Sequence, residues 1–128
     1  MSSSPDLSII IVNWNVQELL RTCLESIERG RGNLDVEVIV VDSASSDGSV
    51  AMLTADFPWV TLVACSENVG FPKGNNLGIA KANGRYILLL NPDTVVLDNA
   101  LTVMLSYLQS HPDVGIVGAQ LLNADGSV

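Results

Sequence analysis

The sequence predicts an α/β domain in which helices cover both faces of a doubly wound, mostly parallel sheet. Continuous apolar runs rich in Val and Ile indicate strands that are buried on both faces, as parallel strands are. Between these runs, apolar residues recur at the three- and four-residue spacing of a helix. The 128 residues are 48% hydrophobic, which is enough for one domain, residues 1–128, with a core of its own.

Five apolar runs are predicted to be strands. "LSIIIV" is the first, and "VEVIVV", "VTLVA" and "YILLL" follow it along the chain. "VGIVGA" is predicted to be the fifth. These runs occupy residues 7–12, 36–41, 60–64, 86–90 and 114–119.

Four helices are predicted to follow the first four strands. We expect Asp47 or Ser46 to cap the second helix and Asp98 to cap the fourth, because short polar side chains accept hydrogen bonds from free helical N–H groups. Asn83-Gly84 is expected to close the third helix as a turn. The helices are predicted over residues 16–27, 49–56, 74–82 and 101–108.

The charge of the chain argues against nucleic acid as a partner. The formal net charge is −8 and there are only six Lys and Arg residues, whereas binding to a phosphate backbone needs clustered cations. A chain so poor in bases could hold a pyrophosphate only with help from backbone N–H groups or a metal cation.

The two cysteines and the single histidine do not form a reactive cluster. Cys23 and Cys65 lie in apolar segments without a CxxC pair, so we expect each to pack as a small hydrophobic side chain with a free thiol. Free thiols fit a reducing compartment such as the cytosol. His111 precedes Pro112 and is expected at the surface or as a helix cap. No leader and no membrane-spanning run is found. We therefore expect a cytoplasmic protein. Any peripheral attachment at the inner face of the membrane would come from a partner, a lipid-linked substrate, or a part of the protein outside these residues.

Polar residues follow each of the first four strands, at the edge where doubly wound sheets bind ligands. One polar ending would be ordinary turn chemistry, but four endings at one edge predict a ligand-binding cleft. The segments concerned are "NWN" at residues 13–15, "DSASSDGS" at 42–49, "SENVGFPKGNN" at 66–76 and "NPD" at 91–93.

Several side chains at this edge suit a nucleotide. Trp14 could stack on a planar base, although ordinary core packing is the alternative. Asp42 could accept a hydrogen bond from a base N–H or a ribose hydroxyl, with a turn or cap role as the alternative. Pro92 fixes the backbone between Asn91 and Asp93, so these two side chains are held in a set relation.

The loop that opens the third helix is predicted to receive an anion. Its glycines are expected to let the backbone approach the ligand closely, and its polar side chains are expected to donate hydrogen bonds. These residues are Gly70, Gly74 and Gly78, with Lys73, Asn75 and Asn76 as donors.

Other nucleotide-binding classes lack their motifs in this sequence. No GxGxxG follows the first strand, no GxxxxGK[ST] occurs, and no Ser/His/Asp arrangement is visible. A non-catalytic, receiver-like α/β module is the alternative from a different class, but it needs a pair of acids where this chain has Asn13-Trp14-Asn15. A methyltransferase would need a glycine-rich turn at the same place.

The ordered set of motifs resembles the nucleotide-binding half of the family 2 glycosyltransferases, which have the Rossmann-like GT-A fold. The resemblance rests on "LSIIIVNWN", "VIVVDSASSDGS" and "ENVGFPKGNNLGIAKANGRYILLLNPDT", and it covers residues 7–117. "NPDT" preceded by "GFxxGNNxGI" is most similar to the rhamnosyltransferase-like branch.

The resemblance implies an inverting enzyme that transfers a sugar, with rhamnose as the candidate, from a UDP- or dTDP-type donor to a glycan or lipid-linked acceptor in polysaccharide synthesis. Asp42 would hydrogen-bond the base. "NPD" would be the DxD motif, whose Asp93 holds Mg²⁺ or Mn²⁺ on the donor pyrophosphate. The nucleotide-binding residues implied are Val12, Asn13, Trp14, Asp42, Ser43, Asn75, Asn76, Asn91, Pro92 and Asp93.

The sequence departs from the family pattern in three respects. Asn91 replaces the first Asp of DxD, and Asn75 replaces the usual basic residue. No residue matches the catalytic base, so the base and the acceptor-binding part are expected beyond Val128. These 128 residues are therefore expected to bind the donor without turnover, and the free edge of a truncated sheet favours self-association.

Overall fold

Four parallel strands form the sheet in the computed structural model, which describes residues 4–113. Their spatial order is β3-β2-β1-β4, and every neighbouring pair is parallel, which confirms the predicted doubly wound sheet. Each strand agrees with its prediction to within one residue at either end, while the predicted fifth strand lies outside the described residues. Strands β1 to β4 span Leu7–Asn13, Val36–Asp42, Thr61–Ala64 and Tyr86–Leu89.

Four helices alternate with these strands as predicted. The third begins three residues earlier than expected, because Pro72 stands in its first turn, where a missing N–H costs nothing and a fixed φ favours the helix. His111 is the C-cap of the fourth helix and is exposed, as predicted. Within residues 4–113, no helix has the length and apolar character needed to cross a membrane. Helices α1 to α4 span Gln17–Gly30, Ser49–Asp56, Phe71–Lys81 and Ala100–Ser110.

The predicted helix N-caps were wrong. Gly48 holds the N-cap position of α2, in place of Asp47 or Ser46, and Asn99 holds that of α4, in place of Asp98. Asp47 still serves the same end of α2 from one position further out, since its Oδ1 accepts the first helical N–H at 2.9 Å. The chemistry was therefore predicted correctly for α2, and its position was wrong by one residue.

The end of α3 also differs from its prediction. Ala82 is the extended C-cap, and the two residues after it bond to the sheet instead of closing the helix. Gly84 N–H donates to Ser8 Oγ at 2.8 Å, and Asn83 N–H donates to Glu37 Oε1 at 2.9 Å. Burial opposes the charge on Glu37, but hydrogen bonds from Ser8 Oγ and Asn83 outweigh it and lower the pKa of the carboxyl group. This cluster fixes the entry of the chain into β4.

The core has one layer on each face of the sheet. Helices α1, α2 and α4 cover one face, and α3 covers the other. All seven residues of β1 are buried, because neighbouring strands flank it and helices cover both its faces. On the first face the core is formed by Leu7, Ile9, Ile11, Leu20, Cys23, Leu24, Ile27, Val36, Val38, Val40, Met52, Leu53, Phe57 and Leu101. On the second face it is formed by Ile10, Val12, Ile39 and Val41, with Leu77 packed against them.

Strand β4 forms an edge of the described sheet. Its side chains alternate between half-buried and exposed. Ile87 and Leu89 are 46% and 51% exposed, and the register pairs Leu89 with Ile10, so both point to the α3 side of the sheet. Self-association through this edge stays a prediction.

Two glycines let α3 pack directly on the sheet. A Cβ atom on Gly74 would lie 2.8 Å from both methyl carbons of Val12, and one on Gly78 would collide with Ile10 Cγ2. The prediction that these two glycines approach a ligand was therefore wrong, because both face the core. Gly70 precedes α3 with φ +78°, a conformation that other residues adopt only with strain.

Replacing Gly78 by alanine is expected to destabilise the protein. Alanine would gain about 1 kcal/mol of helix propensity, but the collision with Ile10 would cost about 1–3 kcal/mol, and the buried strand cannot move aside. We expect a lower thermal midpoint for Gly78→Ala. Gly30→Ala is the matched control, since its added Cβ would have ordinary contacts at 3.4 Å. Equal or higher stability of Gly78→Ala would contradict this account of the packing.

Candidate functional site

The winding of the sheet reverses at β1, which lies between β2 and β4. The chain runs from β1 through β2 to β3 on one side and then crosses to β4 on the other side. In doubly wound sheets, the carboxyl ends of the strands beside such a reversal form a crevice that binds ligands. Trp14 directly follows β1 at this place, and residues 91–93 follow β4.

The two strands beside the crevice differ in length. Leu89, the last residue of β4, pairs with Ile10, and Leu90 N–H donates to the Ile10 carbonyl at 2.9 Å. Strand β1 continues to Asn13, which pairs with Asp42 of β2. Residues 11–13 of β1 therefore extend beyond β4, and this step opens one side of β1 towards the segment that follows β4.

A buried polar network closes the ends of β1 and β2. Asn13 Nδ2 donates to Asp42 Oδ1 at 3.0 Å. Ser45 donates twice to Asp42, from Oγ to Oδ1 at 2.7 Å and from its N–H to Oδ2 at 3.0 Å. The turn role considered for Asp42 is thus realised. Asn13 and Asp42 are both buried, and Asn13 Oδ1 accepts no hydrogen bond from the described residues.

Further hydrogen bonds join the loop after β1 to the loop after β2. Asn15 has φ +53°, and its Oδ1 accepts the Ser46 N–H at 2.7 Å. Gln17 N–H donates to Asp47 Oδ2 at 3.1 Å, and Gln17 Oε1 accepts the Gly48 N–H at 3.0 Å. The start of α1 is therefore fixed to the loop that follows Asp42.

Ser43 fixes the loop that leads into α3. Its hydroxyl donates to Asn68 Oδ1 at 2.8 Å and accepts the Val69 N–H at 2.8 Å. Asn68 Oδ1 also accepts the Gly70 N–H at 3.0 Å. Sequence reasoning placed Ser43 beside the base but missed these partners, because a serine at the end of a strand gives no sign of a bond 25 residues away.

The segment after β4 forms a tight turn that presents Asp93. The Asn91 carbonyl accepts the Thr94 hydroxyl at 2.7 Å and the Thr94 N–H at 3.3 Å. Pro92 is buried, whereas Asn91 and Asp93 are exposed. The turn therefore has its proline inward and its two polar side chains outward.

Cys23 of α1 lies beneath this turn. Its Sγ is 3.9 Å from the Asn91 carbonyl oxygen and 3.9 Å from Thr94 Oγ1. Burial raises the pKa of the Cys23 thiol to about 11, with a smaller contribution from the negative charge of Asp93. The thiol is thus a neutral packing group, as the sequence predicted, and it touches the turn that carries the candidate metal ligand.

The side chains near this turn could hold a divalent cation only together with a bound molecule that supplies further oxygen ligands. Within residues 4–113, no group of three or more His, Cys, Asp and Glu side chains could hold a metal ion. The turn supplies one exposed carboxylate, Asp93, and Mg²⁺ at phosphate sites is commonly bound by one or two carboxylates together with substrate phosphates. Asp93 fits that arrangement.

The predicted site residues occupy three positions around the crevice. The end of β1 and the end of β2 are in direct contact, α3 packs against Val12, and the turn after β4 lies across the step. Val12, Asn13, Asp42, Ser43 and Pro92 are buried, Asn75 is half-buried, and Trp14, Asn76, Asn91 and Asp93 are exposed. Trp14 is 54% exposed, which excludes core packing for it.

These features define a doubly wound α/β domain with a polar crevice at its switch point. Residues 8–127 match the sequence profile described as Glycosyl transferase family 2. The chain therefore belongs to the family 2 glycosyltransferases, as the motifs indicated.

Similar proteins agree with this assignment. The amylovoran biosynthesis glycosyltransferase AmsE of Erwinia amylovora is 29% identical over 122 residues, which are 92% of this chain and 46% of AmsE. The S. aureus TarS 1–349 structure in complex with UDP-GlcNAc has a TM-score of 0.74 and 21% identity, and the match covers 84% of this chain and 32% of that one. The structure of the mannosyltransferase PcManGT of Pyrobaculum calidifontis, in complex with GDP-Man and Mn²⁺, has a TM-score of 0.64 and 23% identity. The match covers 83% of this chain and 32% of PcManGT.

The structural likeness confirms the GT-A fold. The chain spans less than half the length of AmsE and about a third of these two structures.

Removing the Asp47 carboxylate is expected to destabilise the protein in a pH-dependent way. Burial opposes the charge, but hydrogen bonds from Ser49 and from Gln17 N–H outweigh it and lower the pKa of Asp47. A lowered pKa stabilises the fold above the unfolded value of about 3.9, and the gain is lost as the pH falls through the folded pKa. We expect Asp47→Ala to cost about 1 kcal/mol at pH 7, and less below about pH 4.

Urea unfolding at pH 7 and at pH 3 measures this difference. Asp113→Ala is the control, because it removes an exposed carboxylate beyond α4. A cost for Asp47→Ala that is the same at both pH values would rule out the charged hydrogen-bonded group as its source.

Proposed function

We propose that these residues are the donor-binding part of an inverting glycosyltransferase, which transfers a sugar from a nucleoside diphosphate to a glycan or lipid-linked acceptor. The observation that carries the proposal is the crevice at the switch point of a family 2 chain, with Asp42 on one side of β1 and Asp93 on the other. Such a donor consists of a base, a ribose, a pyrophosphate and a sugar; the base would meet Asp42, and a cation on the pyrophosphate would meet Asp93.

The base would be bound at the ends of β1 and β2. A carboxylate has about four lone-pair positions, and three hydrogen bonds from Asn13 and Ser45 already use three of those on Asp42. One acceptor position on Oδ2 is left. It matches the single imide N–H of uracil or thymine, which supports a UDP- or dTDP-type donor, whereas the Watson–Crick edge of guanine presents donors from two nitrogens.

Trp14 supplies the second part of the base site. It directly follows Asn13 and is the exposed aromatic side chain nearest in sequence to the Asn13–Asp42 network. Its indole ring offers a flat stacking surface for a planar base, which a polar side chain at this position could not provide. Val12 and Ser43 would shape the floor of this site from β1 and the start of the following loop.

The pyrophosphate would be bound between the turn after β4 and the start of α3. Asp93 would hold Mg²⁺ or Mn²⁺ on the phosphate oxygens, and the cation would stabilise the charge of the leaving nucleoside diphosphate. Asn91 would contribute a neutral hydrogen-bonding group in place of a second carboxylate. Asn75 and Asn76 in α3 would donate hydrogen bonds from the other side.

We propose that a further part of the enzyme binds the acceptor and carries the catalytic base, since this chain spans less than half the length of AmsE. The amylovoran enzyme AmsE is similar to 92% of this chain, which supports a role in the synthesis of a surface polysaccharide. Rhamnose is our candidate sugar, on the likeness of the "GFPKGNN" and "NPDT" motifs to that branch. We propose a cytoplasmic enzyme that meets its lipid-linked acceptor at the inner face of the membrane.

Replacing Asp93 is expected to abolish the effect of the metal on nucleotide binding. In the wild type, we expect Mn²⁺ to strengthen the binding of UDP or dTDP by about tenfold or more, which is about 1.4 kcal/mol. In Asp93→Ala this gain should disappear, and the metal-free affinity should stay close to that of the wild type. Titration calorimetry with and without Mn²⁺ measures both quantities.

The control for this experiment is Asp98→Ala, since Asp98 is an exposed carboxylate five residues further along the chain. It should keep the full Mn²⁺ enhancement. An enhancement in Asp93→Ala equal to that of the wild type would refute the role assigned to Asp93.

Replacing Trp14 is expected to weaken nucleotide binding whether or not metal is present. Loss of stacking on one base costs about 1–3 kcal/mol in other systems, so Trp14→Ala should bind the nucleotide about 5-fold to 150-fold more weakly. Trp59→Ala is the matched control: Trp59 is 37% exposed and precedes β3, at the opposite edge of the sheet. NMR shifts on nucleotide titration would follow both variants, and equal affinities would exclude Trp14 from the base site.

A further inference from the structure

Helix α1 contacts the segment that carries Asp93 through two buried side chains. After β4 the chain leaves the sheet, and residues 91–96 run along α1. Cys23 and Ser26 of α1 are both fully buried. Cys23 meets the turn at the Asn91 carbonyl and at Thr94, while Ser26 meets the chain two residues beyond the turn.

Ser26 forms a hydrogen-bonded bridge to this segment. Its Oγ accepts the Val96 N–H at 2.9 Å and donates to the Cys23 carbonyl at 2.6 Å. The bond to Val96 joins residues that are 70 positions apart. Because Ser26 has no solvent exposure, removing its hydroxyl would leave the Val96 N–H without this partner in a partly buried position.

The Asp93 side chain depends on this backbone support. Its carboxylate accepts no hydrogen bond from residues 4–113 and is exposed, so its place is set by the turn that bears it. One end of the turn rests on Cys23, and the chain beyond the other end is held by Ser26. A ligand on an unsupported loop would have to be ordered each time a cation bound, at a cost in affinity.

We infer that Ser26 is a positioning residue for the metal ligand Asp93 and acts through Val96 and the turn. The same helix is joined at Gln17 to the loop that follows Asp42. Helix α1 thereby sets the distance between the base side and the metal side of the crevice. This inference rests on the function proposed above, and neither Ser26 nor Cys23 is required to touch the ligand.

The test compares Ser26→Ala with Thr22→Ala. Thr22 is also in α1, and its exposed hydroxyl donates only to the Glu18 carbonyl of the same helix at 3.1 Å, so Thr22→Ala removes a hydroxyl of the same kind without touching residues 91–96. The first readout needs no metal: amide hydrogen exchange at Val96 should become about tenfold faster in Ser26→Ala and stay unchanged in Thr22→Ala.

The second readout is the Mn²⁺ concentration that gives half of the full enhancement of UDP or dTDP binding. It should rise by about fivefold or more in Ser26→Ala, while the nucleotide affinity without metal stays at the wild-type value. A merely structural role would either leave both values unchanged or weaken both together, and either outcome would overturn the inference.

Two further results need separate interpretation: the absence of a metal effect in the wild type, and misfolding of Ser26→Ala. If Mn²⁺ fails to strengthen nucleotide binding in the wild type, the metal role proposed for Asp93 falls, and the inference falls with it, before any variant is made. If Ser26→Ala does not fold, Ser26→Cys replaces it, since a thiol is a much weaker hydrogen-bond acceptor than a hydroxyl and keeps the side-chain shape. The same rise in the Mn²⁺ requirement is expected, and a wild-type requirement in Ser26→Cys would overturn the inference.

Discussion

The parallel pairing of β1 with both of its neighbours is the constraint on which the rest of this structure depends. Because β2 and β4 run in the same direction as β1, every strand must deliver its following loop to the same edge of the sheet. The return of the chain to the far side of β1 then places two of these loops across a gap instead of side by side. The polar residues of the crevice are separated by up to 80 positions in sequence and are neighbours only through this pairing.

The four strands were predictable because each lies in a continuous apolar run of the kind that a buried parallel strand requires. Boundaries were less certain where competing local signals met. Pro72 marked the first turn of α3, but the glycines around it suggested a loop, and the helix was placed too late. Gly74 and Gly78 were interpreted as ligand-approach positions, since a sequence cannot show whether a missing side chain makes room for a ligand or for Val12 and Ile10.

The sequence indicated which polar residues end the strands around the crevice, but it did not indicate the hydrogen bonds that hold them. Asp42, Asn91 and Asp93 are recognisable because polar residues end apolar strands. The hydrogen-bonding roles of Ser45, Asn15, Asn68 and Ser26 were missed, because serine and asparagine are ordinary loop and helix residues until their partners are known. The partners that Asn15, Asn68 and Ser26 find in other segments lie 25 to 70 positions away, and only the packed structure brings them within hydrogen-bonding distance.

Because α3 packs directly on the sheet, its positions differ in the substitutions they tolerate. Gly74 and Gly78 admit no larger side chain without displacing β1, whereas Lys73 and Asn76 are exposed and Asn75 is half-buried. Substitutions on this outer side can therefore alter charge and hydrogen bonding at the surface while the backbone keeps its place. Within two turns of helix, the chain combines positions that packing against β1 fixes with exposed positions that can change.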